Sequence, residues 1–380
     1  MGQYAIRNNY HSVKMKRIVN ILFGAVALLG FVACEDEIGQ GTENPPIYLP
    51  ENGYIFFDSE IRTRGTLIEN TLPYDFGVVG YKYSGTNWTG YKAKAKPNVF
   101  VDNGTPMDME TVVWDGTSHN YEPLVEWTED TYAFFAYYPA TMPVSGRDYE
   151  GTPYLTYNVD RNDYRNLVDV MTSSVIGTSA AVKSVSFHMK HRLSAVSLYA
   201  RSYVRKSVFE ELKNTDTEVY VKITDVDVKF NGISYDSAKI PLDDSEKIIR
   251  TLAGVASLEY KDFTNDTVLE YFDDESKEKD ITSGDKTMVL IPQEEPLTCT
   301  VTVSYDIVNA SGDSMWTSVY PDMNEEDKAK MQTQTQTVEL DMLDDQTRHY
   351  IILSFTKTGL SVDATKTLAW DDQPVEYEFE

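Results

Sequence analysis

The stretch LTCTVTVSYDI, residues 297–307, decides the fold class, because its side chains alternate without a break. Leu297, Cys299, Val301, Val303, Tyr305 and Ile307 fall on one face, and Thr298, Thr300, Thr302, Ser304 and Asp306 on the other. A period of two makes one side of a β-strand apolar and leaves the other in water. Cys299 therefore points into a core, where a free cysteine behaves as a small hydrophobe. Working outward, similar runs predict strands over 54–57, 76–83, 99–101, 111–114, 132–138, 154–159, 182–187 and 193–200, and again at Ile351, Leu353 and Phe355. Asn103-Gly104, Asp115-Gly116, Ser145-Gly146 and Asn231-Gly232 read as turns between them. Between Val219 and Phe230 the apolar phase slips, since Val219, Val221 and Ile223 are followed by Val226, Val228 and Phe230. A bulge or break near Thr224-Asp225 absorbs that one-residue shift. Helix is confined to two short charged stretches, 209–213 and 324–331. Many short strands punctuated by turns argue for β-sandwiches rather than βαβ units.

Composition agrees and narrows the function. The chain has 380 residues, enough for two or three folding units, with 26 Tyr, 15 Phe and 5 Trp that pack well on pleated surfaces. Sixty acidic residues against 34 basic ones give a formal charge of −26, which repels nucleic acid, so no nucleic-acid partner is expected. Two Cys and five His leave no ligand set for structural zinc. No glycine-rich phosphate loop, GxSxG elbow or HExxH motif is present, so neither an enzyme nor a cofactor is expected. His188 and His191 are three apart, which puts them on opposite faces of a strand. Asp225, Asp227 and Asn231-Gly232 resemble part of a calcium loop, but Lys229 stands where an oxygen ligand is needed, and no metal is expected. The acidic run Asp273, Asp274, Glu275, Glu278 and Asp280 reads as a solvated loop. Trp88, Tyr91, Trp114 and Trp127 either stack on sugars or, more simply, fill a core.

The N-terminus sets the compartment. Lys14, Lys16 and Arg17 precede the uncharged run Ile18 to Ala33, which is shorter than the ~20 residues of a spanning helix. LLGFVAC, ending at Cys34, reads as a lipobox with Phe31 in place of the usual leucine. Residues 1–33 are thus expected to be a lipoprotein signal peptide, with Met15 a natural start. Cys34 is the expected lipidation site, whose several acyl chains hold the protein to the outer membrane of a Gram-negative cell. Glu35, Asp36 and Glu37 follow, resembling an acidic surface-export tag or a plain solvated linker, and the acidic, Pro-rich segment 34–53 forms a tether.

With these features, the strand from Tyr54 to Asp58, then Arg62 and Arg64, then LPYDFGVVGYKY (72–83) resemble the opening of Mfa-like fimbrillins, the type V pilin superfamily. TYAFFAYYP (131–139), LVDVMTSS (167–174), VSFHMKHRLSAVSLYA (185–200) and HYIILSFTKTGLSVDATKTLAW (349–370) follow in the family's order. The resemblance implies an all-β protein of two tandem Greek-key, transthyretin-like β-sandwich domains, 54–189 and 190–380. It also implies a structural subunit of surface fimbriae that partners other pilin subunits and supports adhesion to a host protein or glycan. Arg62 and Arg64 match the family's proteolytic processing position. Cutting there would free the first strand, Tyr54, Ile55, Phe56 and Phe57, and expose an edge that demands a partner strand. Val375, Tyr377 and Phe379, alternating with Glu376, Glu378 and Glu380, are the candidate donor strand or the last strand of their own sheet. The alternative is a surface glycan-binding lipoprotein that does not polymerise, resting on the exposed use of its aromatics.

Overall fold

The segment TYAFFAYY, the strand Thr131–Tyr138, has no polar face, and its place in the structure explains why. It lies in the middle of an eight-stranded sheet with a core on each side. Ala133, Phe135 and Tyr137 join one core while Tyr132, Phe134 and Ala136 join the other. Its neighbour Phe76–Tyr83 divides in the same way, Val79, Tyr81 and Tyr83 to the first core and Phe76 and Val78 to the second. A strand buried on both faces reads as a continuous apolar run. Gly77 faces the Tyr137 ring so closely that a methyl group there would overlap it.

The computed structural model describes residues 53–369 except 62–69, 72–73, 103–104, 107–108, 150–151, 161–166, 181, 183, 262–265, 275–276, 283–287 and 342. Across the sheet the strands run Asn70–Thr71, Phe57–Ile61, Val185–His191, Met171–Thr178, Thr131–Tyr138, Phe76–Tyr83, Glu110–Trp114 and His119–Asn120. A seven-stranded sheet runs Thr333–Leu340, Leu297–Val308, Tyr220–Pro241, Thr152–Asn158 and Val144–Tyr149, with Ile249–Tyr260 and Val268–Leu269 also on Tyr220–Pro241. A third sheet orders Lys279–Asp280, Ser194–Ser202, Thr347–Thr356 and Gly359–Ala369, with Met288–Leu290 on Ser194–Ser202. The second and third sheets face each other: Tyr305 meets Phe355 at 4.8 Å between ring centroids, and Gln336 Nε2 donates to the Leu360 carbonyl at 2.8 Å. The all-β sandwich architecture expected from the sequence is the one observed.

Leu297–Val308 alternates as expected, and Cys299 is fully buried, which pushes its thiol up to about 12. The register of Tyr220–Pro241 against it shifts between Ile223 and Asp225, where the phase slip called for a bulge. Two expected turns are corrected. Asn231-Gly232 sits inside Tyr220–Pro241, where Gly232 at φ +90° bends the strand and the pairing with Ile249–Tyr260 shifts. Ser145-Gly146 likewise lies within Val144–Tyr149. Asp115-Gly116 does turn the chain, with the Asp115 carboxylate accepting from the Thr117 and Ser118 amides at 2.8 Å.

Candidate functional site

From Gly53 to Ser59 the chain alternates, and its inward side chains are apolar or small. Ile55, Phe57 and Ser59 are buried, whereas Phe56 is 37% exposed and the Asp58 side chain 62%. The ladder predicted over 54–57 starts later, at Phe57, and runs to Ile61 in parallel with Val185–His191. Tyr54 and Ile55 are held by the chain at 121–127 instead. Tyr54 bridges Glu126, the Ile55 amide donates to the Val125 carbonyl at 2.8 Å, and the Trp127 amide donates to the Gly53 carbonyl at 2.8 Å. The Tyr121 hydroxyl donates to the Ile55 carbonyl at 2.9 Å. Phe56 marks the handover, its carbonyl accepting from the Val185 amide at 2.8 Å.

Four rings box the Phe57 side chain: Phe100 at 6.1 Å, Tyr121 and Phe134 at 5.2 Å, and Phe187 at 5.8 Å between centroids. Burial raises the Tyr121 hydroxyl to about 12, so it stays a donor throughout the physiological range. Beside the box, His119 is buried with its Nδ1 lacking a hydrogen-bond partner and 4.0 Å from Asp58 Oδ1. On its outer side, two rungs cover Phe57–Ile61 among the described residues, Glu60 to Thr71 and Ile61 to Asn70. Burying two large apolar side chains contributes about 3–6 kcal/mol to holding the segment. Among the described residues, the strand is attached by its inward face, one full ladder and two outer rungs.

The rail on which it lies is fixed by a buried charge. Arg192 follows Val185–His191 and is 1% exposed. Its Nη1 donates to Thr172 Oγ1 at 2.7 Å and the Pro241 carbonyl at 3.1 Å, and its Nη2 to the Glu246 carbonyl at 2.6 Å. Burial lowers the guanidinium's affinity for its proton, and Asp345, Asp244, Asp243 and Glu246 oppose that. Three stretches of chain thereby converge on the end of the rail.

Of the residues singled out in the sequence, Tyr54, Ile55, Phe56 and Phe57 form this site. Cys34, Arg62, Arg64, Val375, Tyr377 and Phe379 lie outside the described residues. Trp88 and Trp127 are buried in the two cores and present no face for stacking a sugar. Among the described residues no group of three His, Cys, Asp or Glu is placed to hold a metal. Tyr121, His119, Phe100, Phe134 and Phe187 were not singled out, because they come from distant strands and loops and share no spacing.

A family model described as fimbrillin-like matches residues 74–340. The chain belongs to the fimbrillin-like family. This fimbrillin-like chain shares its fold with a fimbrial protein from Bacteroides vulgatus at a TM-score of 0.51 and 17% identity, over 83% of this chain and 99% of that one. A fimbrilin from Porphyromonas gingivalis is more distant, at a TM-score of 0.34 and 11% identity over 85% and 93% of the two chains. No curated protein sequence matches it.

Proposed function

We propose that this fimbrillin-like chain is a structural subunit of a cell-surface fimbria, exported as a lipoprotein on Cys34 and assembled by exchange of its first strand. One observation carries the reading. The segment Gly53 to Ile61 is seated in an apolar slot on a parallel ladder, with two outer rungs among the described residues, and Arg62 and Arg64 follow it directly in the sequence. Cleavage after either arginine severs the segment from the body and, with it, the link to lipid on Cys34. Loss of the segment leaves Val185–His191 with unpaired backbone groups beside four aromatic rings, an edge that a strand from another subunit fills by β-augmentation. A contact of this kind is heterologous and repeats without closing, so it builds a filament. Family membership and the fold shared with a fimbrial protein support the same role, and adhesion is the use to which such a filament is put.

The test is direct. Purified precursor treated with an Arg-specific protease should yield ladder-forming oligomers, and the double variant Arg62→Ala/Arg64→Ala should remain monomeric. Equal assembly by the double variant would falsify processing at this position.

A further inference from the structure

We infer that the turn at 242–248 is a tenon that locks the chain before Arg192 to the chain after it, so that the two halves unfold as a single cooperative body. The inference goes beyond the strand-exchange reading and holds whether or not the chain polymerises. The turn joins Tyr220–Pro241 to Ile249–Tyr260 in the seven-stranded sheet. Connections of this kind ordinarily run over the surface in water. This one is shaped by Asp243, whose Oδ1 accepts from the Ser245 amide at 3.0 Å and the Ser245 hydroxyl at 2.6 Å, and whose carbonyl accepts from the Glu246 amide at 3.0 Å. Such an Asx-turn holds its own form. It also turns two carboxylates inward, leaving the side chain of Asp244 12% exposed and that of Glu246 16%.

The groups that receive those carboxylates come from far earlier in the chain. Asp244 accepts from the Ser174 amide at 3.2 Å and from the Ser174 hydroxyl, and it pairs with Lys190. Glu246 Oε1 accepts from Lys92 Nζ at 2.9 Å and from Thr152 Oγ1 at 3.1 Å. The backbone of the turn is held as well: the Leu242 amide donates to the Pro153 carbonyl at 2.9 Å, and the buried Arg192 donates to the Pro241 and Glu246 carbonyls. Thus the helix Trp88–Lys92 and the strands Thr152–Asn158, Met171–Thr178 and Val185–His191 all grip one turn of the later chain. Beside the tenon, Thr152–Asn158 pairs with Tyr220–Pro241, from Tyr154 opposite Pro241 to Asn158 opposite Ser237. Tyr81, Phe135 and Leu155 from the earlier chain share one apolar cluster with Ile240, Leu242 and Leu297 from the later. Two sandwiches in series move against each other by default unless the interface between them is large and apolar. Here the core runs through the boundary expected at 189/190, and charge-assisted hydrogen bonds, which tolerate little sliding, fix the setting of one half on the other.

Hydrogen exchange read by mass spectrometry on the full chain tests both parts of the inference. In a urea series, the amides of Thr131–Tyr138 in the earlier half and of Leu297–Val308 in the later half should lose protection at one shared midpoint. Separate midpoints would overturn the single body. The double variant Asp244→Asn/Glu246→Gln keeps the size of the side chains and removes their charge. Without urea it should speed exchange in the ladder between Thr152–Asn158 and Tyr220–Pro241 about tenfold or more, the signature of a local opening. Unchanged exchange would reduce the turn to a passive loop and overturn the tenon. Lys190→Gln, at a side chain 43% exposed, keeps the test decisive if the double variant does not fold: it should speed the same exchange about threefold, and no change there would again overturn the tenon. Lys247→Ala, at an exposed position in the same turn, should leave exchange as it is. A rise equal to that of the double variant would mean that the turn acts through its own folding and not through its grip, and the inference would fall.

Discussion

Phe57 and Phe56 are adjacent, yet their substitutions should behave differently. Phe57→Ala empties the four-ring box and should cost about 3–5 kcal/mol of stability, read as a lower urea midpoint at unchanged slope. Phe56 is 37% exposed on the other face, and Phe56→Ala should cost well under half of that. Arg192 belongs to the same scale. Arg192→Met removes the donors that gather Thr172, Pro241 and Glu246 and strands acidic neighbours, so a loss of about 3–5 kcal/mol is expected in thermal unfolding. His349 sets a pH dependence. Burial lowers its pKa below the ordinary histidine value, with Asp344 and Asp341 pulling the other way. On acidification the unfolded chain takes up this proton before the folded one. The stabilising preference is therefore complete above the unfolded value and lost as pH falls below it. Unfolding free energy should slope less steeply in this window for His349→Asn, measured by denaturant titration at a series of pH values.

Elements show which parts of the fold the amino-acid order encodes locally. Leu297–Val308 was legible because one face is buried and the other wet, and the bulge at Ile223–Asp225 because a phase slip leaves a trace in the apolar pattern. Met171–Thr178 was not predicted from its pattern. Its TSS run has little strand character, and it is held extended by Thr131–Tyr138 on one side and Val185–His191 on the other. Asn231-Gly232 carries the residues of a hairpin turn, but ladders on both flanks keep the chain extended through it, and the glycine supplies a bend instead. Gly232→Ala should accordingly destabilise the protein by about 1–3 kcal/mol through its φ of +90°, a cost visible in the unfolding midpoint. The candidate site was half legible. A strand over 54–57 could be read directly, though its ladder begins only at Phe57, whereas Tyr121 and the ring box could not, since they meet through tertiary contacts alone.

For the molecule as a whole, charge opposes association. A formal net charge of −26 makes copies repel over the ~10 Å Debye length of 0.1 M salt, while the slot is apolar and insensitive to salt. Polymer growth after cleavage should therefore accelerate as sodium chloride is raised from about 0.02 to about 0.3 M, followed by light scattering. A fall in rate would mean that charged contacts dominate the junction. The parallel pairing of Phe57 with Val185 has a further consequence, for the order in which the protein matures. A chain emerging from a translocon amino end first presents this strand long before its partner, so the strand must wait, unpaired, until more than a hundred later residues have followed. Within the eight-stranded sheet, the strand synthesised first is then among the last to dock.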